Sequence, residues 1–294
     1  MKPPPFKYFA PDTVEEALAH LAEHGYEAKA LAGGQSLIPT MNFRLAQPGV
    51  LVDLNNIPEL AYIRPGSEGG VAVGAMTRQR QVERSDLIAD RVPLVHETMP
   101  YIAHPQIRNR GTFGGSIAHA DPASELPALA LALDALFKVR NQSSERWVRA
   151  SEFFIDLFAT ALEPDDLLVE VSLPEMAPQT GYAFEEVSRR HGDYALVGLA
   201  ATITVNLSGQ CQRARLVFFS VGTGPVEAFQ AQAALDGEDL SPAAIQAAAE
   251  IAASTDLDPP SDIHASTAYR RHLARVLAQR VLARAAARAA GNGA

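Results

Sequence analysis

The whole chain contains a single cysteine, Cys211. One thiol cannot form an intramolecular disulfide, and it cannot supply the four thiolates of an iron–sulfur cluster or a structural zinc site. Any iron–sulfur chemistry in which this protein takes part must therefore come from another polypeptide. Because Cys211 lies in a β-like run, we expect it to be a buried packing residue.

Two common nucleotide-binding signatures are also missing. No Gly-x-x-x-x-Gly-Lys-Ser/Thr loop occurs, and no glycine-rich segment has the spaced glycines of the dinucleotide fingerprint. The sequence thus excludes a P-loop nucleoside triphosphatase and argues against a Rossmann domain.

Long apolar runs and excess basic charge are absent as well. No uninterrupted apolar segment approaches the roughly 20 residues of a membrane span, and the first seven residues have no apolar core of a signal peptide. The net charge of −9 argues against a nucleic-acid partner and against binding to an anionic membrane. We therefore expect a cytoplasmic protein.

Two glycine-rich loops are the most informative segments that are present, at 32–36 and 112–116. Glycine lacks a Cβ atom, so the amides of a glycine pair can converge on a pyrophosphate without holding it away. Either motif alone is also typical of an ordinary turn. We predict that both loops meet and hold one dinucleotide, FAD, and that valine at Gly33 or Gly114 abolishes its retention. The residues of this predicted site are Ala32, Gly33, Gly34, Gln35, Ser36, Thr112, Phe113, Gly114, Gly115 and Ser116.

Acidic residues are depleted around both loops. The 25 residues between Glu27 and Asp53 contain none, and neither do the 23 residues between Glu97 and Asp121. An even spread of the 34 acids would place about five or six in these two windows. The depletion favours an anionic ligand at both loops.

Hydrophobic periodicity predicts strand, helix, strand, strand over residues 6–60. Thr13 and Glu16 form a capping-box pattern for a helix of about a dozen residues. The strand Ala28–Leu31 leads into the first glycine loop, and Val50–Leu54 is a further strand. A helical turn is predicted at Met41–Ala46.

From residue 61 onward the pattern predicts a larger unit that ends near Pro174–Pro178. Its expected strands are 71–74, Phe137–Val139, Trp147–Val148 and Leu167–Leu173. Its expected helices are one capped by Thr77, one over Pro93–Ala103, one beginning at Asp121-Pro122 and a short one capped by Ser151.

The last segment begins with long strands and ends in helices. The strands are predicted at Tyr182–Val187, Tyr194–Leu207 and Arg213–Val221, and helices follow from Ser241-Pro242 and from Ser266. Strands followed by helices favour an α+β fold. The outer side of the final helix is predicted to be a solvated basic face made of Arg270, Arg271, Arg275, Arg280, Arg284 and Arg288.

Several segments, in order, resemble one known family. They are Leu-Ala-Gly-Gly-Gln-Ser-Leu-Ile-Pro (31–39), Arg-Leu-Ala (44–46), Gln-Ile-Arg-Asn-Arg-Gly-Thr-Phe-Gly-Gly-Ser (106–116), Ala-Asp-Pro-Ala-Ser-Glu (120–125), Arg-Arg-His-Gly-Asp-Tyr-Ala (189–195) and Ala-Tyr-Arg-Arg (268–271). Together they resemble the FAD-binding medium subunit of molybdenum hydroxylases, the family of carbon monoxide dehydrogenase and xanthine dehydrogenase.

The resemblance implies an α+β fold with a two-lobed FAD-binding domain of the vanillyl-alcohol-oxidase (PCMH) type. Lobe 1 would span 1–60, lobe 2 would span 61–177, and a smaller α+β C-terminal domain, CO-dehydrogenase-flavoprotein-like, would span 178–294. It also implies that Glu125 lies near the ribose or adenosine of FAD and that Tyr194 lies beside the isoalloxazine ring.

The function implied is electron transfer. Electrons would originate at a molybdopterin large subunit and reach this chain through an iron–sulfur small subunit, and this chain would pass them to an external acceptor. The three subunits would form a heterotrimer able to dimerise. No catalytic side chain and no metal ligand is expected, since His104, His119 and His191 are scattered. Two alternatives are a self-sufficient FAD-dependent oxidoreductase acting on a small molecule and a flavin-binding scaffold. The substrate and the acceptor, whether NAD, a quinone, ferredoxin or oxygen, stay open.

One departure from the family pattern concerns the charge near the flavin. Many relatives carry a lysine within two positions after the residue equivalent to Phe184, whereas this chain has Glu185 and Glu186. A cation that stabilises reduced, anionic flavin is therefore in question, and Arg189 or Arg190 are the candidate substitutes. The expected consequence is a lower flavin potential.

Overall fold

The computed structural model describes residues 2–66 and 69–291. The N-terminal part is a three-stranded parallel sheet in the order β1-β3-β2, with α1 packed against it. Its elements are β1 (Lys7–Phe9), α1 (Val14–His24), β2 (Ala28–Leu31), α2 (Leu37–Asn42) and β3 (Val50–Asp53). The apolar stripe Val14, Ala17, Leu18 and Leu21 is buried. The predicted order of strand, helix, strand, strand is confirmed.

Two local predictions in this part need correction. The Thr13 hydroxyl accepts from the Glu16 amide at 3.2 Å as expected, but the Glu16 carboxylate accepts from the Asp12 amide at 3.0 Å rather than from Thr13. The helical segment predicted at Met41–Ala46 begins four residues earlier, because α2 starts directly after the glycine loop at Leu37.

The next part is a five-stranded antiparallel sheet in the order β4-β5-β10-β6-β7, covered by short helices. The sheet strands are β4 (Ile63–Pro65), β5 (Val71–Gly74), β6 (Leu136–Arg140), β7 (Glu145–Arg149) and β10 (Leu167–Leu173), and the separate hairpin strands are β8 (Phe154–Asp156) and β9 (Ala159–Thr160). The helices are α3 (Gln79–Glu83), α4 (Asp86–Arg91), α5 (Pro93–Thr98), α6 (Pro105–Arg108), α7 (Phe113–His119), α8 (Glu125–Ala132) and α9 (Ala150–Phe153).

Three predicted helix caps in this part are wrong. The Thr77 hydroxyl bonds the backbone of Tyr62, and α3 begins after Arg78 instead. Asp121 accepts from the Ala123 amide, so the chain makes one more turn and α8 begins after Ser124. Ser151 lies inside α9, whose N-cap is Arg149.

The C-terminal part is a four-stranded antiparallel sheet in sequential order, with helices on one face. It comprises β11 (Thr180–Ser188), β12 (Ala195–Val205), β13 (Cys211–Phe219), β14 (Val226–Glu227), α10 (Phe229–Leu235), α11 (Pro242–Ile251) and α12 (Thr267–Ala289). Ser241 and Ser266 cap α11 and α12 as predicted, and Cys211 is buried as predicted. In the described ranges, no helix has both the length and the apolarity needed to span a membrane.

Both faces of this sheet are covered, which explains the nearly continuous apolar run of β12. Phe184, Ala200 and Phe219 belong to the core of the preceding five-stranded part, whereas Ala183 and Leu199 belong to the core beneath α12. Residues alternate along each strand between these two cores.

The prediction of a solvated basic face on α12 holds for Arg271, Arg275 and Arg280 but is wrong for the other three arginines. Arg270 is only 5% exposed, and it donates to the carbonyls of Leu196 and Ser220 and to Asp262. Near the other end of the helix, Arg284 donates to the Phe184 carbonyl and Arg288 donates to Glu97 and the Tyr182 carbonyl. These arginines fasten α12 to the strands beneath it, and Arg288 reaches α5 as well.

Candidate functional site

The two glycine loops lie side by side. A Cβ atom added to Gly33 would stand 2.4 Å from the Arg110 carbonyl oxygen and 2.7 Å from the Gly111 Cα. A Cβ atom added to Gly115 would stand 3.1 Å from the Ala32 Cβ. The expected meeting of two loops that are distant in sequence is thus confirmed by direct contact between their main chains.

The contacts give these glycines a structural reason in addition to the expected one. Gly33 must lack a side chain so that the second loop can approach. Gly114 is packed against β5, since its Cβ would lie 2.5 Å from the Ala75 Cβ. Gly34 has φ +71°, which favours glycine on backbone grounds.

The loops also differ in their free hydrogen-bond donors. In the second loop the Phe113 amide donates to the Thr77 carbonyl and the Gly114 amide to the Ala75 carbonyl, both at 2.9 Å. The Gly115 amide donates to the Thr112 hydroxyl at 3.1 Å. Within the described ranges, the four amides of residues 33–36 donate to no protein acceptor. The first loop therefore presents four free donors, and the second loop packs against it.

A cavity of about 350 Å³ opens beside the first loop. Asp53, Asn55 and Arg110 contribute the polar side chains of its wall. Asp53 accepts from the Tyr8 hydroxyl at 2.5 Å and from the Asn55 amide at 2.9 Å, so its charge is already engaged by donors. Arg110 is the basic residue among those that line the cavity, which suits an anionic ligand.

Arg78 reinforces the positive character of this end. Its guanidinium donates to Asn55 Oδ1 at 2.6 Å and to the Arg110 carbonyl, and so it ties both loops together. Burial, with the nearby Arg110 charge as a further cause, lowers the pKa of Arg78. Within this end of the site, then, two guanidinium groups lie close to the unpartnered amides.

The second end of the site is acidic. Ser116 Oγ and Ser124 Oγ, 2.9 Å apart, connect the second loop to the start of α8, where Glu125 is only 8% exposed. Burial raises the pKa of Glu125 to about 7. Burial and the nearby Glu125 raise the pKa of Glu186 to about 8. At neutral pH this pair of carboxyl groups therefore holds at least one proton.

Tyr194 borders the same acidic end. The residue is 65% exposed, and partial burial together with the carboxyl groups of Asp121 and Glu125 raises its pKa. The structure thus brings Glu125 and Tyr194 together, whereas the cavity beside residues 32–36 is lined by neither of them.

Strand geometry separates the two glutamates that depart from the family pattern. Glu185 points to α12 and pairs with Arg280 at 3.0 Å and Arg284 at 3.3 Å. Glu186, one residue on, faces the acidic end, and its Oε2 atom is buried without a hydrogen-bond partner in the described ranges. Of the two, only Glu186 therefore lies beside Glu125.

Arg189, a candidate cation from the sequence, and Arg108 both have other partners. Arg189 lies 3.7 Å from Asp193 at the surface. Arg108 is buried, pairs with Glu83 at 2.9 Å and donates to the Ile102 carbonyl at 2.7 Å, so it holds the chain that precedes the second loop.

Asn55 is a site residue that the sequence reasoning missed. Its side-chain amide donates to the Ala32 carbonyl at 2.9 Å and so positions the first loop. The sequence pattern could have indicated Asn55, because β2 and β3 are neighbouring parallel strands and the residues that follow them must meet at one sheet edge.

Comparison with known proteins agrees with this geometry. Residues 4–176 match the family described as FAD binding domain in molybdopterin dehydrogenase, and residues 182–285 match the CO dehydrogenase flavoprotein C-terminal domain. The chain belongs to the FAD-binding medium subunits of molybdenum hydroxylases.

Relatives of this medium subunit match it over nearly their full lengths. The alpha subunit of the 6-hydroxypseudooxynicotine dehydrogenase complex of Paenarthrobacter nicotinovorans is 44% identical over 98% of this chain and 97% of the relative. The carbon monoxide dehydrogenase medium chain of Hydrogenophaga pseudoflava is 39% identical over 99% of this chain and 100% of the relative.

A solved structure gives the same result for the fold. A chain of carbon monoxide dehydrogenase from Hydrogenophaga pseudoflava superimposes with a TM-score of 0.94 at 40% identity, covering 98% of this medium subunit and 99% of that chain. The expectations of an α+β flavoprotein fold, of FAD as cofactor, of an oxidoreductase subunit and of iron–sulfur and molybdopterin partner subunits are confirmed.

Proposed function

We propose that this medium subunit holds the diphosphate of FAD in the first glycine loop and relays electrons from the iron–sulfur subunit to an external acceptor. The single observation that carries the proposal is the row of four unpartnered amides at residues 33–36. Backbone amides are strong donors that always find a protein or water partner, and these four half-buried amides lie in one loop, so together they offer a row of donors to an external acceptor.

The charges fit a diphosphate. Arg110 lines the cavity next to these amides, and the flanking chain carries no acid between Glu27 and Asp53. A diphosphate presents several anionic oxygens, and each can accept from an amide or a guanidinium group. Ser116, Glu125, Glu186 and Tyr194 are then the residues available to the rest of the cofactor.

Bound FAD would supply the redox chemistry, since a flavin accepts electrons singly and releases them singly or in pairs. The chain's own contribution is to bind the cofactor and to set its electrostatic surroundings. The carboxyl pair of Glu125 and Glu186 keeps a proton at the acidic end at neutral pH. No side chain is required as a nucleophile.

The substrate is proposed to be bound by the partner subunits. Of the two relatives above, one belongs to a dehydrogenase of 6-hydroxypseudooxynicotine and the other to a dehydrogenase of carbon monoxide. Substrates so different in size and chemistry accompany medium subunits that align over nearly the whole chain. We infer that this chain does not select the substrate.

We further propose lobe boundaries at residues 60/61 and 177/178. The three-, five- and four-stranded sheets lie in these three segments, and no strand of one sheet pairs with another sheet in the described ranges. A cytoplasmic location stays a prediction from the sequence.

Purification tests the relay directly. We expect the isolated chain to bind one FAD, to show no turnover of an organic substrate on its own, and to be reduced when the iron–sulfur and molybdopterin subunits and their substrate are added. Turnover by the isolated chain would instead support the self-sufficient flavoenzyme. A flavin that the complete complex cannot reduce would support the scaffold.

Arg110→Ala tests the binding site. Removing the guanidinium group should weaken FAD binding, and Arg110→Lys should restore part of it because the charge returns. Arg84→Ala is the matched control, since Arg84 is also exposed but lies outside the cavity lining. Equal FAD affinity in the Arg110→Ala and Arg84→Ala proteins would contradict a diphosphate at this position.

A further inference from the structure

One face of α1 carries a cluster of potential metal ligands that plays no part in flavin binding. The segment His20-Leu-Ala-Glu23-His24 places its two histidines four residues apart, so both imidazoles project from the same side of the helix. One ligand atom from each of His20, Glu23 and His24 lies within 4.8 Å of the other two. The expectation that the chain has no metal ligand was based on other histidines.

Packing against β1 fixes the two imidazoles. The ring of Phe9 stacks on His20 with centroids 4.1 Å apart and on His24 with centroids 5.5 Å apart, and both interplanar angles are 19°. Both imidazoles therefore lie against the same phenyl ring. Rings held in this way lose little further freedom when they bind a ligand, which favours binding.

The nitrogens of these rings lack partners. His20 Nδ1 and His24 Nε2 are both out of contact with solvent, and neither has a hydrogen-bond partner in the part of the chain that the structure describes. Glu23 Oε2 is 4.0 Å from His24 Nε2, which is too far for a hydrogen bond. A buried polar atom without a partner is unfavourable, so a group that satisfies these nitrogens would stabilise this face.

We propose that His20, Glu23 and His24 bind a divalent metal ion of the Zn²⁺ class. Two imidazoles and one carboxylate are ligands that Zn²⁺ prefers, with bonds of about 2.0–2.2 Å. Ligand atoms around such an ion stand roughly 3.4 Å apart, so small side-chain rotations close the present spacing.

The position of the site indicates a structural role. α1 packs on β2 and β3, and Phe9 belongs to β1, so an ion here would fasten the helix to the parallel sheet. The first glycine loop begins directly after β2. The ion would therefore stabilise the sheet that carries this loop without touching FAD.

Zinc titration of the full chain with its FAD tests the proposal. After treatment with a chelator, calorimetry should show one Zn²⁺ per chain, and saturating Zn²⁺ should raise the melting temperature by a few degrees. His20→Gln and His24→Gln should each weaken binding by about 100-fold, and Glu23→Gln by about 10-fold. His96→Gln is the matched control, because His96 is exposed on α5 and lies outside the cluster.

A thiolate variant separates ligation from folding. His24→Cys restores a zinc ligand and should bind Zn²⁺ much more tightly than His24→Gln. Absence of a 1:1 Zn²⁺ complex in the folded wild-type protein would overturn the proposal. It would also be overturned if His20→Gln and His24→Gln bound Zn²⁺ as tightly as His96→Gln.

Discussion

Alanine at Gly33 should weaken FAD binding by separating the two loops rather than by blocking the cofactor. The added Cβ would lie 2.4 Å from the Arg110 carbonyl oxygen, whereas ordinary contacts of this kind are 3.4–4 Å. The loops must therefore part by about 1 Å. Neither obstacle can rotate away, because the Arg110 carbonyl and the Gly111 Cα are both main-chain atoms.

The expected magnitude follows from overpacking in a closely packed region, which destabilises proteins by about 1–3 kcal/mol. For a chain of this size, 1 kcal/mol corresponds to roughly 2–4 °C in melting temperature, so FAD-free Gly33→Ala should melt roughly 2–12 °C below wild type. FAD affinity should fall by about tenfold or more, because the wall behind the cradle has moved.

Thermal unfolding of the FAD-free proteins distinguishes the two explanations. If the alanine clashes only with the ligand, the FAD-free variant will be as stable as wild type while FAD binding is lost, and the loop-contact argument is refuted. Gly224→Ala is the control, since nothing lies within 4 Å of a Cβ at that position and its φ is not in the left-handed region.

The other predictions concern charges, the aromatic residue of the site and the C-terminal helix. Because the pKa of Glu186 is raised to about 8 from its ordinary 4.5, its stabilising contribution is fully present below about pH 4.5 and is lost as the pH rises through about 8. Glu186→Gln should therefore gain stability relative to wild type as the pH rises over this window. If urea unfolding at pH 5, 7 and 9 gives the same difference in free energy of unfolding between the two proteins, the raised pKa of Glu186 is contradicted. Tyr194→Ala should retain FAD but shift its visible spectrum or potential, and identical spectra and potentials would remove Tyr194 from the site. Arg270→Ala removes the donor to the carbonyls of Leu196 and Ser220 and should lower the free energy of unfolding by about 2–5 kcal/mol. Arg275 is more exposed, so Arg275→Ala should lower the free energy of unfolding by only about 0–1 kcal/mol. Equal losses for the two variants in denaturant unfolding would show that Arg270 is not a central contact.

Much of the fold follows from periodicity and capping residues alone. The stripe of α1, the strands at 28–31 and 167–173, and the caps Ser241 and Ser266 all depend on local sequence, and each is where the pattern predicts it. The caps predicted at Thr77 and Asp121 fail because each side chain found a different backbone partner, which local sequence does not specify.

The arginines of α12 show why tertiary contacts escape such reasoning. Their spacing is typical of a solvent-exposed face, but their partners, such as Leu196 and Glu97, are far away in sequence. A long cationic side chain can bury its stem and reach a distant carbonyl, so its position on a helix does not decide its exposure.

The position of the candidate site was predictable from the sequence, but the different hydrogen bonding of its two loops was not. The glycine pairs and the depletion of acids indicate both loops, and the loops do meet. The amides of Phe113 and Gly114 are engaged, unlike those of 33–36, because they reach the carbonyls of Thr77 and Ala75 through the tertiary fold. Similarly, alternation along β11 decides that Glu186 and not Glu185 faces the site.

Amide hydrogen exchange with and without FAD tests the central claim most directly. We expect the amides of residues 33–36 to exchange rapidly in the FAD-free protein and to become strongly protected when FAD binds, while those of 113–115 are protected in both states. Amides at 33–36 that continue to exchange rapidly in the stoichiometric FAD complex would contradict the assignment of this loop as the diphosphate cradle.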